Sequence, residues 1–485
     1  MKPSIEILSQ EQIHRVLDDA HLLLTKVGIR VQSVEARALL YIAGAEVNKS
    51  NDIVHIPDKV VDAALKRTPS TFYLHDRLGK PTIQYGGDNV HFDPGSSGVH
   101  ILDPNTLEHR PSLTSDLVRV VKVAEMLSQY DAQSTALVCN EVPKTISDLY
   151  RLYVVLMLSK KPIVTGSFSI KNLDVMIEML ALFSGGRREL AEKPQAVFDV
   201  CPTPPLIWSE FGAQNLLDLA RAGVPAEMVS MPLAGVAAPV TLLGSITQHA
   251  AESLAGIAIH QAANAGAPIV WGGAPAIFDM RKGETPFGAI ETAMINAACA
   301  QVGKALNLPT HGYLGASDSK VIDAQSGMES STTALVGALA GINMISGAGM
   351  LDFLACQSPE KLVLDSESIT SAKRLLNGIT DFQGNILTTF YDDFDFKSDF
   401  LKKRITRELF MSEQSLPTDV INRDSLRGWQ AGGSLDAFQR ARERTKQLLK
   451  DYRRPELDKK LESELNKLVS TLAKKAALKQ LPALD

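Results

Sequence analysis

The chain has 485 residues, of which 45% are hydrophobic and 22% charged, and this balance is that of an ordinary globular protein. Its formal net charge of −5 excludes the strongly basic surface that nucleic acids and acidic membranes attract. Four cysteines are too few for a disulfide scaffold, and none has the Cys-x-x-Cys spacing or the nearby histidine of a common zinc site. We therefore expect a cytoplasmic protein with no metal site, no membrane segment and a small-molecule or protein partner.

Residues 1–110 predict a small α+β segment. A helical period of apolar residues runs from Ser9 to Val27, and short mixed segments with turn signals follow Gly28. The first residues lack the apolar stretch of a signal peptide. Two later stretches, 223–244 and 330–355, are apolar enough to suggest a membrane span, but each has the pattern of a buried strand beside a helix.

From Pro111 the pattern alternates between short β-like runs and helical segments. The runs are Ser134–Cys139, Pro162–Ser167, Ala196–Val200, Glu227–Met231, Pro268–Trp271, Thr310–Tyr313, Asn343–Ser346 and Leu362–Leu364. Helical patterns lie between them, for example Ile246–Ala263, Pro286–Leu306 and Asp323–Ala340. Eight β/α units within residues 111–379 predict an α/β protein with an eight-stranded β/α (TIM) barrel.

An open, doubly wound sheet would share this alternation, but the first predicted strand is not followed by a Gly-x-Gly-x-x-Gly loop. The closed barrel is therefore favoured. Beyond residue 379 the chain becomes charged, and Ser434–Lys450 and Pro455–Ala477 predict helices packed on the surface of the barrel. The expected division is an α+β lead-in at 1–110, a catalytic barrel at 111–379 and a helical segment at 380–485.

Active sites of β/α barrels lie at the carboxyl ends of the strands, which reduces the candidates to a short set. Those predicted to bind substrate are Trp271, Phe278, Arg281, His311, Tyr313 and Phe353, and those predicted to catalyse or orient are Glu141, Asp318, Ser346 and Glu367. Taken singly, each is as well explained by packing, a turn or a surface charge. Their convergence on one rim favours a site. Since no signature of a nucleophilic side chain and no Walker loop is recognisable, that site is predicted to bind and orient a substrate rather than to attack it with a side chain.

Several motifs resemble the trimethylamine methyltransferase family. They are Gly315–Lys320, Asp323–Glu329, Ala338–Gly341, Gly347–Leu351, Met280–Gly283 with Phe287, Gly288 and Glu291, and Trp429–Gly433. The resemblance covers nearly the whole chain. It implies a barrel enzyme that passes a methyl group from an amine to the Co(I) of a corrinoid (cobalamin) carried by a separate protein, with no tightly bound cofactor of its own.

The trimethylamine-specific branch of that family carries pyrrolysine in the barrel, at a position that we expect near Gln325–Glu329. Only ordinary residues stand there, so the chain resembles the branch without pyrrolysine, which includes glycine betaine methyltransferases. The segment Ser398–Glu413 also departs from the histidine-containing pattern of the family.

The chemistry of a quaternary amine agrees with this resemblance. When Co(I) attacks a methyl carbon, a quaternary ammonium leaves as a neutral tertiary amine, so the enzyme has only to hold and orient the cation and exclude water. Trp271, Phe278, Tyr313 and Phe353 are the predicted aromatic cage. His311 and Arg281 are the predicted donors to a betaine carboxylate.

Two other functions remain open at this point. A barrel lyase or hydrolase acting on a small amine or acid would use Glu141 or His311 in acid–base catalysis. A non-catalytic homologue would only dock a corrinoid protein. In the favoured interpretation a corrinoid protein docks on a rim around Asn140, Ser167, Ser317 and Ser346, and the enzyme forms a homo-oligomer.

Overall fold

The computed structural model describes residues 3–48, 50–392, 394–397 and 399–484. The N-terminal elements are α1 Gln10–Leu22, β1 Ile29–Val31, α2 Val34–Ala43, β2 Glu46–Val47, β3 Ile53–His55, α3 Asp58–Arg67, β4 Phe72–His75, β5 Pro81–Tyr85, β6 His91–Pro94, β7 His100–Leu102 and β8 His109–Pro111. The predicted first helix is confirmed. It begins after Ser9, whose hydroxyl accepts a hydrogen bond from the backbone N–H of Gln12, and a π-helical turn extends it to Val27.

The middle of the chain alternates as predicted. Its elements are α4 Thr114–Met126, β9 Gln133–Ser134, α5 Ser147–Leu158, β10 Ile163–Thr165, α6 Ile170–Ser184, α7 Arg187–Glu192, β11 Ala196–Val200, β12 Ile207–Trp208, α8 Glu210–Ala222, β13 Ala226–Met228, β14 Leu233–Ala234, α9 Leu242–Ala263, β15 Ile269–Val270, β16 Ala276–Ile277, α10 Ile290–Ala305, β17 His311–Gly312, α11 Ala324–Leu339, β18 Met344–Ala348, β19 Met350–Leu351, β20 Cys356–Gln357 and α12 Pro359–Leu376. Seven of the eight predicted β-like runs overlap a strand, the first of them, Ser134–Cys139, at Ser134 alone.

The C-terminal elements are α13 Ile386–Phe390, α14 Arg404–Glu413, α15 Leu426–Ala431, α16 Ala437–Asp451 and α17 Lys459–Lys475. Helices α16 and α17 confirm the two predicted charged helices. Helix α16 packs against α4 and α12, and α17 packs against α5 and α6. Within the described ranges no helix combines the length and the apolar composition that crossing a membrane requires.

The strands that overlap the predicted β-like runs lie in two groups of parallel strands, β15-β13-β11-β10-β9 and β17-β18-β6. A parallel bridge between Trp271 and Thr310 joins β15 to β17. On the other side, the N–H of Asp131, just before β9, donates to the carbonyl of Phe92 on β6 at 2.8 Å. These two contacts bring both ends of the first group next to strands of the second group.

The predicted eighth strand, Leu362–Leu364, is wrong. These residues lie inside helix α12, which begins at Pro359 after the side chain of Ser358 has capped it. A short apolar run cannot by itself distinguish a buried strand from a buried helix turn, and here the capping serine and the proline at the helix start are the deciding signals.

Strand β6 lies in the part of the sequence that was assigned to the N-terminal lead-in. It pairs in parallel with β18, so the lead-in contributes a strand to the same layer as the predicted barrel. The division into three parts otherwise stays a prediction.

The hairpin β4–β5 packs against the interior of the strands. Leu74, Ile83 and Tyr85 from the hairpin form one buried apolar cluster with strand residues such as Val197 and Met344. Because these strand residues precede the polar positions further along the same strands, the hairpin covers the amino ends and leaves the carboxyl ends for a site.

Candidate functional site

Three carboxyl groups point between the strands near their carboxyl ends, and we call them the acid cluster: Asp93 on β6, Asp199 on β11 and Glu227 on β13. Asp93 and Glu227 have no exposed surface, whereas Asp199 is partly exposed. Buried charges are costly unless they are paired or serve a function, so three carboxyl groups in one interior indicate a functional site.

Asp199 and Glu227 are register partners on adjacent parallel strands, so their carboxyl groups are neighbours in the same interior. The hydroxyl of Tyr85, which reaches in from the hairpin, donates to Glu227 Oε2 at 3.1 Å. The hydroxyl of Tyr313 donates to Asp199 Oδ2 at 3.0 Å. Burial and the charge of the nearby Asp199 both raise the pKa of Glu227, which favours the protonated form of Glu227 beside Asp199.

Asp93 is connected to the pair through Ser346 and His311. The Ser346 hydroxyl donates to Asp93 Oδ1 at 2.5 Å and lies 3.1 Å from His311 Nε2. Either Ser346 Oγ or His311 Nε2 is the donor in this second contact, depending on the tautomer of His311. Nε2 is also 3.4 Å from Glu227 Oε1. The polar groups therefore form one connected network.

Burial controls the ionisation of this network. It raises the pKa of Asp93 and Glu227 well above the usual carboxyl range, and it raises the pKa of Asp199 to about 6. Burial also lowers the pKa of His311 to about 3, so the imidazole is neutral. The network holds protons near neutral pH, and a bound cation would favour their loss.

Arg151 lies on α5 above the strand ends and has no exposed surface. Its Nη1 donates to Ser97 Oγ at 3.0 Å and to the Thr135 carbonyl at 2.8 Å, and its guanidinium carbon is 4.4 Å from the centre of the Phe168 ring. Burial lowers the pKa of Arg151 to about 10, which leaves it charged at neutral pH. In the described part of the chain its Nε has no hydrogen-bond partner.

The structure brings together three of the sequence-predicted residues, His311, Tyr313 and Ser346. The imidazole and the Tyr313 ring meet edge to face with centroids 5.0 Å apart. Sequence reasoning missed the acid cluster, Tyr85 and Arg151. A usable signal was present, since Asp199 and Glu227 are acidic residues inside apolar predicted strands and Arg151 interrupts a run of buried apolar residues in a helix.

Trp271 does not join this group, which corrects its place in the predicted cage. Its side chain is 1% exposed, and its indole N–H donates to the carbonyl of Cys299 on α10 at 2.9 Å. Successive side chains of a strand point to opposite faces, so Trp271 faces the surrounding helices while Val270 faces the interior. Its role in this position is packing.

Phe278 and Arg281 lie in the loop after β16. Phe278 is half-buried. The Arg281 side chain is 87% exposed, and its Nε and Nη2 bind Asp279 at 3.0 and 2.8 Å. The expectation that Arg281 binds a substrate carboxylate is therefore not supported, because its guanidinium is already paired at the surface.

Phe353 already has a cation on its ring: Lys320 Nζ is 3.8 Å from the ring centre. Phe353 is in a left-handed turn with Asp352 and Leu354, whose φ angles are 50° and 67°. The turn brings Leu354 against the cluster of apolar side chains around Tyr313. Phe353 thus lies in a wall beside the site, with its face occupied by Lys320.

Asp318 also supports the wall. Its two carboxyl oxygens accept hydrogen bonds from the N–H groups of Phe287 and Gly288 at 2.8 and 3.0 Å. Phe287 in turn packs beside Tyr313. Burial raises the pKa of Asp318 to about 6. Asp318 therefore positions a loop next to the site.

The last two predicted carboxylates have structural partners elsewhere. Glu141 accepts a hydrogen bond from the N–H of Thr114 at 2.6 Å and so caps α4. Glu367 does not follow a strand, because it lies in α12, where it accepts from the Thr418 hydroxyl at 2.5 Å. The stretch Gln325–Glu329, expected to mark the pyrrolysine position in the barrel, lies at the start of helix α11.

The predicted docking rim is largely interior. Ser167, Ser317 and Ser346 are buried, and only Asn140 is exposed. A bulky charged residue at the three serines would disrupt packing before it affected any partner. Among the described residues, no three His, Cys, Asp or Glu side chains are grouped to hold a metal ion.

The chain was compared with known proteins. The family model described as "Trimethylamine methyltransferase (MTTB)" matches residues 1–477. Trimethylamine methyltransferase MttB of Desulfitobacterium hafniense is 28% identical over 461 residues, with 95% of this chain and 92% of the relative covered. Trimethylamine methyltransferase MttB of Methanosarcina barkeri is 30% identical over 447 residues, covering 91% and 90%.

Glycine betaine methyltransferase of Desulfitobacterium hafniense is 27% identical over 474 residues, covering 97% and 98%. The monomethylamine methyltransferase of Methanosarcina barkeri has a similar fold, with a TM-score of 0.53 at 9% identity over 91% of this chain and 89% of that one. The match of the family model to almost the whole length shows that this chain belongs to the trimethylamine methyltransferase family.

Proposed function

We propose that this enzyme moves a methyl group from a quaternary amine, glycine betaine or a related betaine, to the Co(I) corrinoid of a partner protein. Family membership supports methyl transfer from an amine, and the relative named glycine betaine methyltransferase supports a quaternary substrate. The observation that carries the proposal is the acid cluster.

The acid cluster provides what a permanent cation needs. Asp199 is its one partly exposed residue, and its Oδ1 has no hydrogen-bond partner among the described residues, which leaves this oxygen for an ammonium group at the strand ends. The attraction between opposite charges is several times stronger in a protein interior than in water. Tyr313 stands next to Asp199 and offers a ring face to the methyl groups.

A betaine also carries a carboxylate, and Arg151 is the donor that we propose for it. Its guanidinium lies above the strand ends between Ser97 and Phe168, and both of these residues are exposed. Charge-assisted hydrogen bonds from a guanidinium to a carboxylate are strong and directional. This assignment replaces Arg281, which is paired with Asp279.

The reaction requires little acid–base chemistry. The C–N bond breaks as the methyl carbon passes to cobalt, and the bonding electron pair stays on nitrogen, which leaves as a neutral tertiary amine. Asp199 and Arg151 hold the two charged ends, and the wall formed by Phe287 and Leu354 beside Tyr313 excludes water. The remaining task is to direct one methyl group toward the partner.

We further propose that the eight parallel strands close into a barrel, and that the corrinoid protein docks over its carboxyl end in the cytoplasm. Loops after the strands expose apolar side chains there, including Met231, Val236, Val240 and Met280. Gly235 lies close to both Val240 and Met280, so these loops meet in one surface. This surface takes the place of the serine rim expected from the sequence.

The test is methyl transfer to chemically reduced cob(I)alamin. Purified enzyme is incubated with glycine betaine, carnitine, proline betaine or trimethylamine, and methylcobalamin is followed by its absorbance. We expect a betaine to give methylcobalamin, and Asp199→Asn to abolish most of that activity. The proposal would be overturned if the enzyme demethylated its substrate without any corrinoid, or if trimethylamine were the only one of the four amines to react. Cleavage that releases ammonia or the carbon chain of the substrate would indicate the lyase or hydrolase instead.

A further inference from the structure

A long segment after the last barrel helix has its apolar side chains on the outside. None of the described residues from 377 to 419 is buried. We call residues 379–416 the arm. Ten large apolar side chains of the arm are exposed: Ile379, Ile386, Leu387, Tyr391, Phe396, Phe400, Leu401, Phe410, Met411 and Leu416. Soluble monomers rarely expose so many apolar groups in one continuous region, which indicates a surface that another molecule covers.

The arm is held at both ends by the same helix. Arg374 near the end of α12 donates to the carbonyl of Gly378 at 2.7 Å and to that of Glu413 at 3.1 Å. Thr418 then returns the chain to Glu367, two turns earlier on α12. Both attachments make the arm a fixed projection from the body rather than a free tail.

Aromatic side chains give the arm some structure of its own. The rings of Tyr391, Phe394 and Phe400 lie within 5.4 to 5.8 Å of one another, and Phe396 adds a further ring contact with Phe394 at 5.5 Å. Phe396 is nevertheless 99% exposed. A cluster that stays this exposed buries too little apolar surface to be stable alone.

The position of the arm excludes the corrinoid protein as the molecule that covers it. Helix α12 starts after β20 near the carboxyl ends of the strands and runs back to Leu376. Leu376 lines a shallow depression with Asp88 and Gly341, which precede β6 and β18. The arm therefore leaves the body at the amino ends of the strands, while a corrinoid protein must approach the carboxyl ends.

We propose that the arm packs against the arm of a second copy of this chain and forms a homodimer. A stable interface uses about 20–30 residues from each partner, a number that the arm alone can supply. Residues 379–416 contain seven Asp and Glu and five Lys and Arg, so both signs of charge are present and the surface can be complementary to itself. The choice of a second copy over a corrinoid protein rests on the proposed function, whereas the test below measures assembly alone.

The test compares two matched variants of the full-length protein by sedimentation velocity and multi-angle light scattering. The arm variant is Phe396→Asp/Leu401→Asp/Met411→Asp, in which the original side chains are 99%, 78% and 67% exposed. The control is Val236→Asp/Val240→Asp/Met280→Asp, exposed to 60%, 67% and 67% on the other end of the body. At a protein concentration of about 10 µM, we expect the wild type and the control to be dimers. We expect the arm variant to be a monomer with an unchanged far-ultraviolet circular dichroism spectrum.

Crosslinking gives a readout that does not depend on the triple variant folding. Phe396→Cys is made in a Cys201→Ser background, because Cys201 is the exposed native cysteine among the described residues. A short bismaleimide should then join two chains into a species of twice the monomer mass, and Met280→Cys in the same background should not. The proposal is wrong if the wild type is a monomer. It is also wrong if the arm variant stays dimeric and the Phe396→Cys protein gives no crosslinked species.

Discussion

The acid cluster and the arm are opposite departures from the usual distribution of residues. In the acid cluster, carboxyl groups lie in the interior, and Asp93 and Glu227 have no exposed surface. On the arm, side chains such as Phe396 are almost fully exposed. Both arrangements cost free energy in an isolated chain, the first through desolvation and the second through hydration of apolar surface. The comparison teaches that each arrangement points to a bound molecule, and we propose a cation for the acid cluster and a second copy of the chain for the arm.

The largest expected effect is on the interior side of this comparison. Asp199→Asn should weaken the binding of glycine betaine by about 30-fold or more, because removing one partner of a desolvated charge pair costs about 2 kcal/mol or more. Isothermal titration calorimetry measures this affinity. The matched control is Glu252→Gln, a buried carboxyl held by Ser230 at 2.6 Å and by the N–H of Leu206 at 2.9 Å, which should change the affinity less than about twofold.

A second test separates the interior of the strands from their helix-facing side. Trp271→Phe should lower the free energy of unfolding by about 2 kcal/mol, since it removes ring volume and the hydrogen bond to Cys299. Urea titration followed by fluorescence measures the loss. The affinity of the variant for substrate should stay unchanged. If the variant were fully stable but bound substrate about tenfold more weakly, Trp271 would belong to the aromatic cage after all.

Acidity provides a third test of the buried carboxyl pair. The pKa of Asp199 is raised by burial to about 6 from an ordinary value of 3.8. Its contribution to stability is therefore fully present below pH 3.8 and is lost as the pH rises through about 6. The melting temperature of the wild type minus that of Asp199→Asn should accordingly decrease from pH 4 to about pH 6.5 and then level off. A difference that is constant over this range would contradict the burial of the pair.

The wall beside the site should respond more weakly. Lys320→Met removes an ammonium that lies 3.8 Å from the Phe353 ring centre and 3.5 Å from Asp352, and we expect a loss of about 0.5–1 kcal/mol in unfolding free energy. The control is Lys402→Met, an exposed cation 3.8 Å from Asp399, with an expected change below about 0.3 kcal/mol. Equal effects of the two variants would show that the ring contact contributes nothing.

The smallest effect is expected on the arm. In protein diluted until it is monomeric, Phe396→Ser should change the free energy of unfolding by less than about 0.5 kcal/mol, because an exposed side chain loses little burial. Denaturation at two protein concentrations measures this. At the higher concentration the variant should be less stable than the wild type, since the dimer adds stability by mass action.

The sequence determined the features that depend on local pattern. The alternation of β-like runs and helices located seven strands of the parallel layer, and motifs such as Gly315–Lys320 pointed to the family that the comparison then showed. The charged C-terminal helices were also located, because their spacing of polar and apolar residues is helical. Of the candidate site, the sequence also predicts His311, Tyr313 and Ser346, since they lie in or end predicted strands.

Only the tertiary structure decided which side chains share one interior. A shift of one residue along a strand turns a side chain to the other face, so Trp271 packs on α10 while Val270 faces the interior. Strand β6 joined the layer through pairing with β18, which is distant in sequence. The acid cluster collects Asp93, Asp199 and Glu227 from three such strands. No local sequence pattern predicts that these three residues are close together, because their proximity arises from the long-range pairing of strands.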